Sequence, residues 1–251
     1  MSIVVLITGA NWGIGRGLLA RYLALPDHTV IAANRDPDGA SSRALSSLPR
    51  GEGTRLEVVK LDASVWQDAF DAVASLESRG VADHLDIVIG NAGVSYIWPA
   101  VADVRLEDIE GHIKPNVYGQ VALYQAARPL LRKSKREPIL TNMGSTAGSL
   151  SAPLPFPNAA YGPSKLASAW YTLKIHLEDD WLHSFSLCPG WVHTDLGDAG
   201  AKAFGVDEVT QAKFMIGLEE SCDGMLKVLS TTTKAEHGGK LVLYNGETVA
   251  W

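Results

Sequence analysis

The sequence predicts a doubly wound α/β fold: a seven-stranded parallel sheet flanked by helices on both faces. Three features point there. Short, continuously apolar runs recur along the chain, as in strands buried on both faces. Longer stretches of helical character separate them. The first run leads straight into glycines and then a helix, which is how a βαβ unit begins.

Taken in order, Ile3 to Thr8 is the first strand and 14–25 the first helix. His28 to Ala33 is the second strand, Leu56 to Leu61 the third, and Leu85 to Ile89 the fourth. Ile139 to Met143, Ser184 to Cys188 and Lys240 to Tyr244 complete the seven. Helices fill the intervals at about 64–79, 105–132, 159–181 and 219–229. Leu150 to Pro157 carries three prolines, so it is a loop rather than helix interior. The Gly- and Ala-rich stretch 194–215 shows no clear strand and also reads as irregular. Loops beyond strand ends line the ligand crevice in this class, so 150–158 and 194–215 are expected to shape a substrate pocket. No repeat or linker divides the chain, and 1–251 reads as one domain.

Composition narrows the function. Against 22 Lys and Arg stand 28 Asp and Glu, a net charge of -6, which argues against a nucleic-acid binder. The one basic run, Lys133-Ser134-Lys135-Arg136, reads as a solvated loop. Charged residues make up 20% and apolar residues 46%, a globular balance rather than a disordered one. The two cysteines, Cys188 and Cys222, form no Cys-x-x-Cys pair and read as small buried residues in a reducing compartment. Ile3 to Ile7 is too short to span a bilayer and lacks signal-peptide flanks, so a soluble, cytoplasmic protein is expected. No His-Glu-x-x-His or Gly-x-Ser-x-Gly pattern suggests a metal site or a hydrolase nucleophile. His193 and the Asp179-Asp180 pair are expected in solvent.

Thr8-Gly9-Ala10-Asn11-Trp12-Gly13-Ile14-Gly15 joins the first strand to the first helix. Glycines there let the backbone approach a pyrophosphate, and a helix N-terminus offers free N–H groups and a positive dipole end. A tight turn without a ligand is the alternative. The second strand ends in Asn34-Arg35-Asp36, with no acid where an NAD enzyme would bind the ribose 2′-hydroxyl. A guanidinium at Arg35 can pair with a 2′-phosphate, which favours NADPH/NADP+. A surface contact between Arg35 and Asp36 is the competing use.

Tyr161 and Lys165 stand four apart on one predicted helix face. A neighbouring ammonium favours a phenolate, so Lys165 is expected to lower the Tyr161 pKa and make it a usable acid–base group. Ser145, after the fifth strand, is placed to hydrogen-bond the same reacting oxygen.

Together these pieces resemble the short-chain dehydrogenase/reductase family over essentially the full length. The matching motifs are Thr8-Gly-x3-Gly-x-Gly15, Asp62, Asn91-Ala92-Gly93, Asn116, Ser145, Tyr161-x3-Lys165 and Pro189-Gly190-x3-Thr194. The stretches 155–165 and 189–195 look like a narrower group, the fungal norsolorinic acid ketoreductase-like enzymes and their carbonyl-reductase relatives. The resemblance implies a Rossmann-type fold, NADPH, a small-molecule carbonyl substrate, no nucleic acid or membrane partner, and a homodimer or homotetramer. It implies Tyr161 as acid/base, Ser145 as substrate-orienting, Lys165 on the nicotinamide ribose and Asn116 in a water-linked relay. It places Gly9, Asn11, Trp12, Gly13, Ile14 and Gly15 around the pyrophosphate. Asp62 would contact adenine, Asn91, Ala92 and Gly93 the ribose side, and Pro189, Gly190, Val192 and Thr194 the carboxamide. Two of these have structural alternatives: Asn91-Ala92-Gly93 stabilising the sheet, and Asp62 capping a helix near Ser64.

Two departures stand out. Pro115 precedes Asn116 and removes an N–H there. The interval from Ser145 to Tyr161 is lengthened by the proline-rich stretch. Trp98, Phe156, Trp191, Phe204 and Trp251 are candidates to line an apolar pocket for a polycyclic aromatic ketone, with ordinary packing the alternative. The other functions left open are an NAD-dependent alcohol dehydrogenase and a non-catalytic cofactor-sensing protein.

Overall fold

Alternation along the first strand sets the architecture. In β1 (Ile3–Thr8), Val4 and Leu6 pack into one apolar layer while Val5 and Ile7 pack into the other. Each large aliphatic chain buried this way contributes about 1.5–3 kcal/mol. The structure, a computed structural model, describes residues 2–251. The chain runs on through α1 (Gly13–Ala24), β2 (His28–Asn34), a short α2 (Ala40–Arg43), β3 (Arg55–Lys60), α3 (Trp66–Ser78) and β4 (Ile87–Gly90). Then come α4 (Leu106–Ile113), a π-turn (Lys114–Tyr118), α5 (Gly119–Leu131), β5 (Ile139–Met143), α6 (Tyr161–Glu178) and β6 (His183–Cys188). The last part holds β7 (Trp191–Val192), α7 (Asp195–Ala203), α8 (Glu208–Phe214), β8 (Met215–Ile216), α9 (Leu218–Thr231) and α10 (Lys234–His237), ending in β9 (Leu241–Leu243) and β10 (Thr248–Val249).

The main sheet has the order β10-β9-β6-β5-β4-β1-β2-β3. All its pairs are parallel except β10 with β9. The strand count is therefore eight rather than the expected seven. The added strand is a two-residue antiparallel return over Thr248–Val249, too short to leave a periodic signal. Helices α3 and α5 cover one face, and α1 and α9 the other. Order reverses between β1 and β4, and ligands in such sheets bind outside the strand ends at that switch point.

Two stretches differ from expectation for local reasons. The region 194–215 is mostly helical, because Thr194 accepts from Gly197 N and Asp207 from Thr210 N, so side-chain caps start α7 and α8. Its end also forms β8, which pairs with β7. The expected helix 105–132 is observed over 106–131, with one local change, a π-turn over Lys114–Tyr118 that contains Pro115. The stretch 150–158 holds no helix or strand, as expected.

Candidate active site

At the switch point, β1 ends in a turn whose Gly9 and Gly13 take φ of 62° and 47°. Gly15 sits where any Cβ would run into the Gly9 carbonyl and the Asn91 amide. The start of α1 is thus pressed onto the end of β1. Trp12, the α1 N-cap, makes no side-chain cap bond, and no acid occupies the first turn. The first N–H groups of α1 are left to an outside acceptor. Across the cleft, Thr194 Cγ2 is 3.8 Å from where a Gly13 Cβ would be, so the turn after β6 faces the glycine turn. The Thr194 hydroxyl caps α7 by accepting from Gly197 N at 3.2 Å.

Polar side chains lock the surrounding strand ends. Asn34 is fully buried; its Oδ1 accepts from Ala10 N at 2.9 Å and its Nδ2 donates to Ser42 Oγ at 3.1 Å. Asn11 Nδ2 donates to Ser41 Oγ at 2.8 Å. Asn91 Nδ2 donates to the carbonyls of Thr8 and Gly9 at 2.9 and 3.0 Å, and Ala92 N donates to Thr8 Oγ1 at 2.9 Å. Asn91-Ala92 therefore does stitch β4 to β1. Arg35 is exposed and makes no ion pair among the described residues; the expected alternative contact with Asp36 does not form. Asp62 accepts from Ser64 N at 2.9 Å and from Ser64 Oγ, an Asx turn rather than the cap of α3, which starts only at Trp66. Burial works against the Asp62 carboxylate, but the Ser64 bonds and the nearby charges of Arg35 and Lys60 hold its pKa below the ordinary value.

The second group of candidates converges at the start of α6. A 3-10 turn over Thr146–Gly148 follows β5. Gly148 lets that turn touch α6, since a Cβ there would lie 2.7 Å from Leu166 N. This contact brings Ser145 beside Tyr161, with the serine Oγ accepting from Ala147 N at 3.1 Å. Lys165 is buried; its Nζ donates to Met143 O at 2.8 Å and lies 5.5 Å from the Tyr161 ring centroid. Burial pulls the Lys165 pKa down to about 8. Burial also pushes Tyr161 up to about 12, with the nearby Ser145 working against it. The expected lowering of Tyr161 by Lys165 does not show: desolvation, which disfavours both charged forms, is the first cause of both shifts.

Asn116 lies in the π-turn beneath these groups. Its Oδ1 accepts from Val94 N at 2.8 Å, and its Nδ2 donates to Val94 O and Ser164 Oγ at 2.9 Å each. Pro115 does not displace it; the π-turn absorbs the missing N–H. A Cβ on Gly93 would be 2.9 Å from Asn116 Oδ1 and 3.7 Å from Lys165 Nζ, so the backbone after β4 passes directly beside the lysine.

Four of the five candidate pocket aromatics meet. Phe156, from the proline-rich loop, stacks on Phe204 at 4.6 Å and 11°. Trp98 and Trp191 meet the same Phe204 ring near-perpendicularly at 5.7 and 6.5 Å. Trp251 does not join them; its carbonyl accepts from Ser151 N at 2.9 Å and ties down the proline-rich loop. His193 is exposed and pairs with Asp198 at 2.8 Å. Cys188 and Cys222 are buried and free. Asp179 departs from expectation. It is buried, accepts from Arg128, Tyr124 and Trp181, and fixes the end of α6, while the hydrogen bonds and the Arg128 charge outweigh burial and lower its pKa.

Three contributing residues carried no motif. Asn34, where the sequence marks only the lack of an acid, anchors the glycine turn through Ala10 N. Gln120 Nε2 donates to the carbonyls of Gly90 and Ala92 at 3.1 Å each, holding the end of β4. His112, fully buried on α4, meets the Tyr161 ring edge-wise at 6.4 Å. Its spacing of four before Asn116 puts both on one helical face, the one signal available in the sequence.

The profile of the family described as short chain dehydrogenase matches residues 3–203. A norsolorinic acid ketoreductase of Dothistroma septosporum is 38% identical, with 98% of this chain and 91% of that protein covered. One of Emericella nidulans is 34% identical over 99% of this chain and 93% of its own length. Among solved structures, an NADPH-bound carbonyl reductase from chicken fatty liver superposes with a TM-score of 0.85 at 29% identity, covering 100% of this chain and 95% of that one. The carbonyl reductase Sniffer of D. melanogaster gives 0.82 at 21% identity over the full length of both, a likeness of fold alone.

Proposed function

The chain belongs to the short-chain dehydrogenase family, and on that premise we propose that it reduces the carbonyl of an apolar, aromatic ketone or aldehyde to an alcohol, with NADPH as the reductant. The observation that carries this reading is the meeting of half-buried Ser145 and Tyr161 with buried Lys165 beside an uncapped helix N-terminus.

The residues present fit a dinucleotide. Gly9, Gly13 and Gly15 leave a bare backbone cradle, and the turn residues Asn11, Trp12 and Ile14 frame free N–H groups suited to a pyrophosphate. Arg35, unpaired among the described residues, stands where the second strand ends and suits a 2′-phosphate. Asp62 lies near Arg35 and suits an adenine amine. Asn91, Ala92 and Gly93 would meet the ribose side, and Pro189, Gly190, Val192 and Thr194 the carboxamide. Because the Thr194 hydroxyl caps α7, its neighbours' backbone would carry most of that contact. Bound there, the nicotinamide supplies a hydride to the carbonyl carbon.

The chain's own groups handle the proton. Ser145 holds the carbonyl oxygen by hydrogen bonding and supports the negative charge that develops on it. Tyr161 gives that oxygen its proton. Burial pushes the phenol up to about 12, so it carries its proton at neutral pH, and the strongly basic alkoxide that develops on the substrate can take it. Lys165 orients the ribose hydroxyls and restores the Tyr161 proton. With both Nδ2 hydrogens engaged, Asn116 has only Oδ1 to offer a water-linked relay to Lys165. The rings around Phe204 would give the substrate an apolar face, which supports an aromatic ketone, and relatives named as norsolorinic acid ketoreductases support a ketone.

Paired titration with NADPH and NADH, followed by a screen of aromatic ketones, tests the reading. NADPH should bind more tightly, and Tyr161→Phe should keep cofactor affinity while losing turnover. Tighter NADH binding would move the assignment to alcohol oxidation. Binding of neither nucleotide would leave a non-enzymatic protein.

A further inference from the structure

Two residues of the α4–π-turn segment reach into the site: Asn116, already described, and His112. The imidazole is fully buried and fixed at both ends. Nδ1 is 2.7 Å from Asp108 O, a carbonyl, so this nitrogen carries the hydrogen and donates it. Nε2 is then the acceptor, and Tyr96 N donates to it at 3.4 Å. The Tyr96 ring stacks on the imidazole at 4.4 Å and 21°, with its hydroxyl lying over Gly111 where a side chain would begin. The other side of the imidazole meets the Tyr161 ring at 6.4 Å and 67°. One side chain therefore touches both the tyrosine and the segment after β4. That segment is pinned at Val94 by Asn116, at Tyr96 by His112 and at Trp98 by the Phe204 ring.

We propose that His112 is a positioning residue with two separable roles: its ring sets the Tyr161 phenol against the substrate carbonyl, and its Nε2 holds the 94–98 wall of the substrate pocket. The inference rests on the proposed carbonyl reduction for its kinetic form. Its geometric core, the coupling of His112 to Tyr161 and Tyr96, does not. A ring in edge contact limits how far the phenol can swing, and small misplacements of a reacting group are costly. An acceptor at Nε2 limits how far the wall can move from α4.

Substitutions divide the roles. His112→Phe keeps a ring beside Tyr161 and loses the acceptor. His112→Gln keeps an acceptor at the distal position and loses the ring. In reduction of an aromatic ketone, His112→Phe should raise KM about fivefold with kcat near wild type, and His112→Gln should lower kcat about tenfold with KM near wild type. His112→Ala should do both, and NADPH affinity should hold in all three. Equal losses of kcat and KM in the Phe and Gln variants, or no change in either, would overturn the proposal. If the wild-type protein turns over no ketone, the reaction assignment fails, and the positioning role is read from 13C-tyrosine spectra instead. The Tyr161 ring resonance, assigned by its loss in Tyr161→Phe, should shift in His112→Gln and stay in His112→Phe. An unmoved resonance in both the Gln and Ala variants would overturn the proposal without any assay of turnover.

Discussion

The two halves of the molecule hold their parts of the site by different means. In the first half, directional hydrogen bonds do it: Ala10 N donates to Asn34, Asn91 donates to the carbonyls of Thr8 and Gly9, and Gln120 donates to those of Gly90 and Ala92. In the second half, rings packed between loops, joined by Trp98 of the first, form the candidate pocket around Phe204. The buried side-chain atoms without a partner among the described residues, His176 Nδ1, His183 Nδ1 and Ser184 Oγ, all lie in that half too. A chemically constant ligand suits a cradle of fixed geometry. A pocket that distinguishes substrates by shape suits contacts that can be exchanged one ring at a time. The same contrast shows at two helix starts: α1 is left uncapped and without acid, whereas α7 is capped by Thr194 and carries Asp195 and Asp198 in its first turn.

The largest expected effect comes from breaking the first half. Gly15→Ala drives a methyl into the Gly9 backbone carbonyl and the Asn91 side-chain amide, which is bonded to the Thr8 and Gly9 carbonyls. It should abolish measurable NADPH binding and cost about 1–3 kcal/mol of stability by overpacking, read by cofactor titration and urea unfolding. Wild-type binding would mean the cradle can shift. Next comes Arg35→Ala, which removes an exposed guanidinium without disturbing packing. NADPH affinity should fall about 10- to 100-fold, the range of one charge-assisted hydrogen bond, and NADH affinity should stay. Equal losses would show that Arg35 serves the cradle generally rather than the phosphate.

The contrast also explains what could be read from the sequence. The first half was legible because its features are local: a strand, glycines at fixed offsets, and a helix. Tyr161 and Lys165 were legible for the same reason, being one turn apart. Asn34, Gln120 and His112 act through contacts with residues far along the chain, and no short pattern marks such contacts. The stretch 194–215 was misread because glycine and alanine dominated its composition, while its caps, Thr194 to Gly197 and Asp207 to Thr210, are single bonds. Asp179 looked solvated as one of two adjacent acids, yet Arg128, 51 residues away, meets it at 2.6 Å. The π-turn at Pro115 contains Asn116, whose partners Val94 and Ser164 lie far along the chain, so no local pattern marks it.

A smaller effect is expected where rings do the holding. Phe204→Ala leaves Phe156, Trp98 and Trp191 without their common neighbour. Each lost ring pair is worth about 0.5–1.5 kcal/mol. KM for an aromatic ketone should rise several-fold, with NADPH affinity unchanged. A parallel loss of cofactor affinity would mean that the two halves are less separate than their contacts indicate.

The smallest effect on turnover, and the one that isolates the second half's unpartnered atoms, concerns His183. This imidazole is fully buried and stacks on Phe185 at 4.9 Å. Burial first, then repulsion from His237, His176 and Lys234, pulls its pKa down to about 4. In the unfolded chain the same group takes up its proton near pH 6.5. Between those values the unfolded state binds more protons, so stability is full above about pH 6.5 and falls as the pH drops towards 4. At about 1.4 kcal/mol per unit, the loss from this one group between neutral pH and pH 5 comes to about 2 kcal/mol. His183→Phe keeps a ring against Phe185 and removes the titration. Its turnover at neutral pH should match wild type, and urea unfolding at pH 7.5 and 5.0 should show a smaller loss on acidification than wild type. An equal loss in both proteins would assign the acid sensitivity to other groups and leave the His183 Nδ1 atom without energetic consequence.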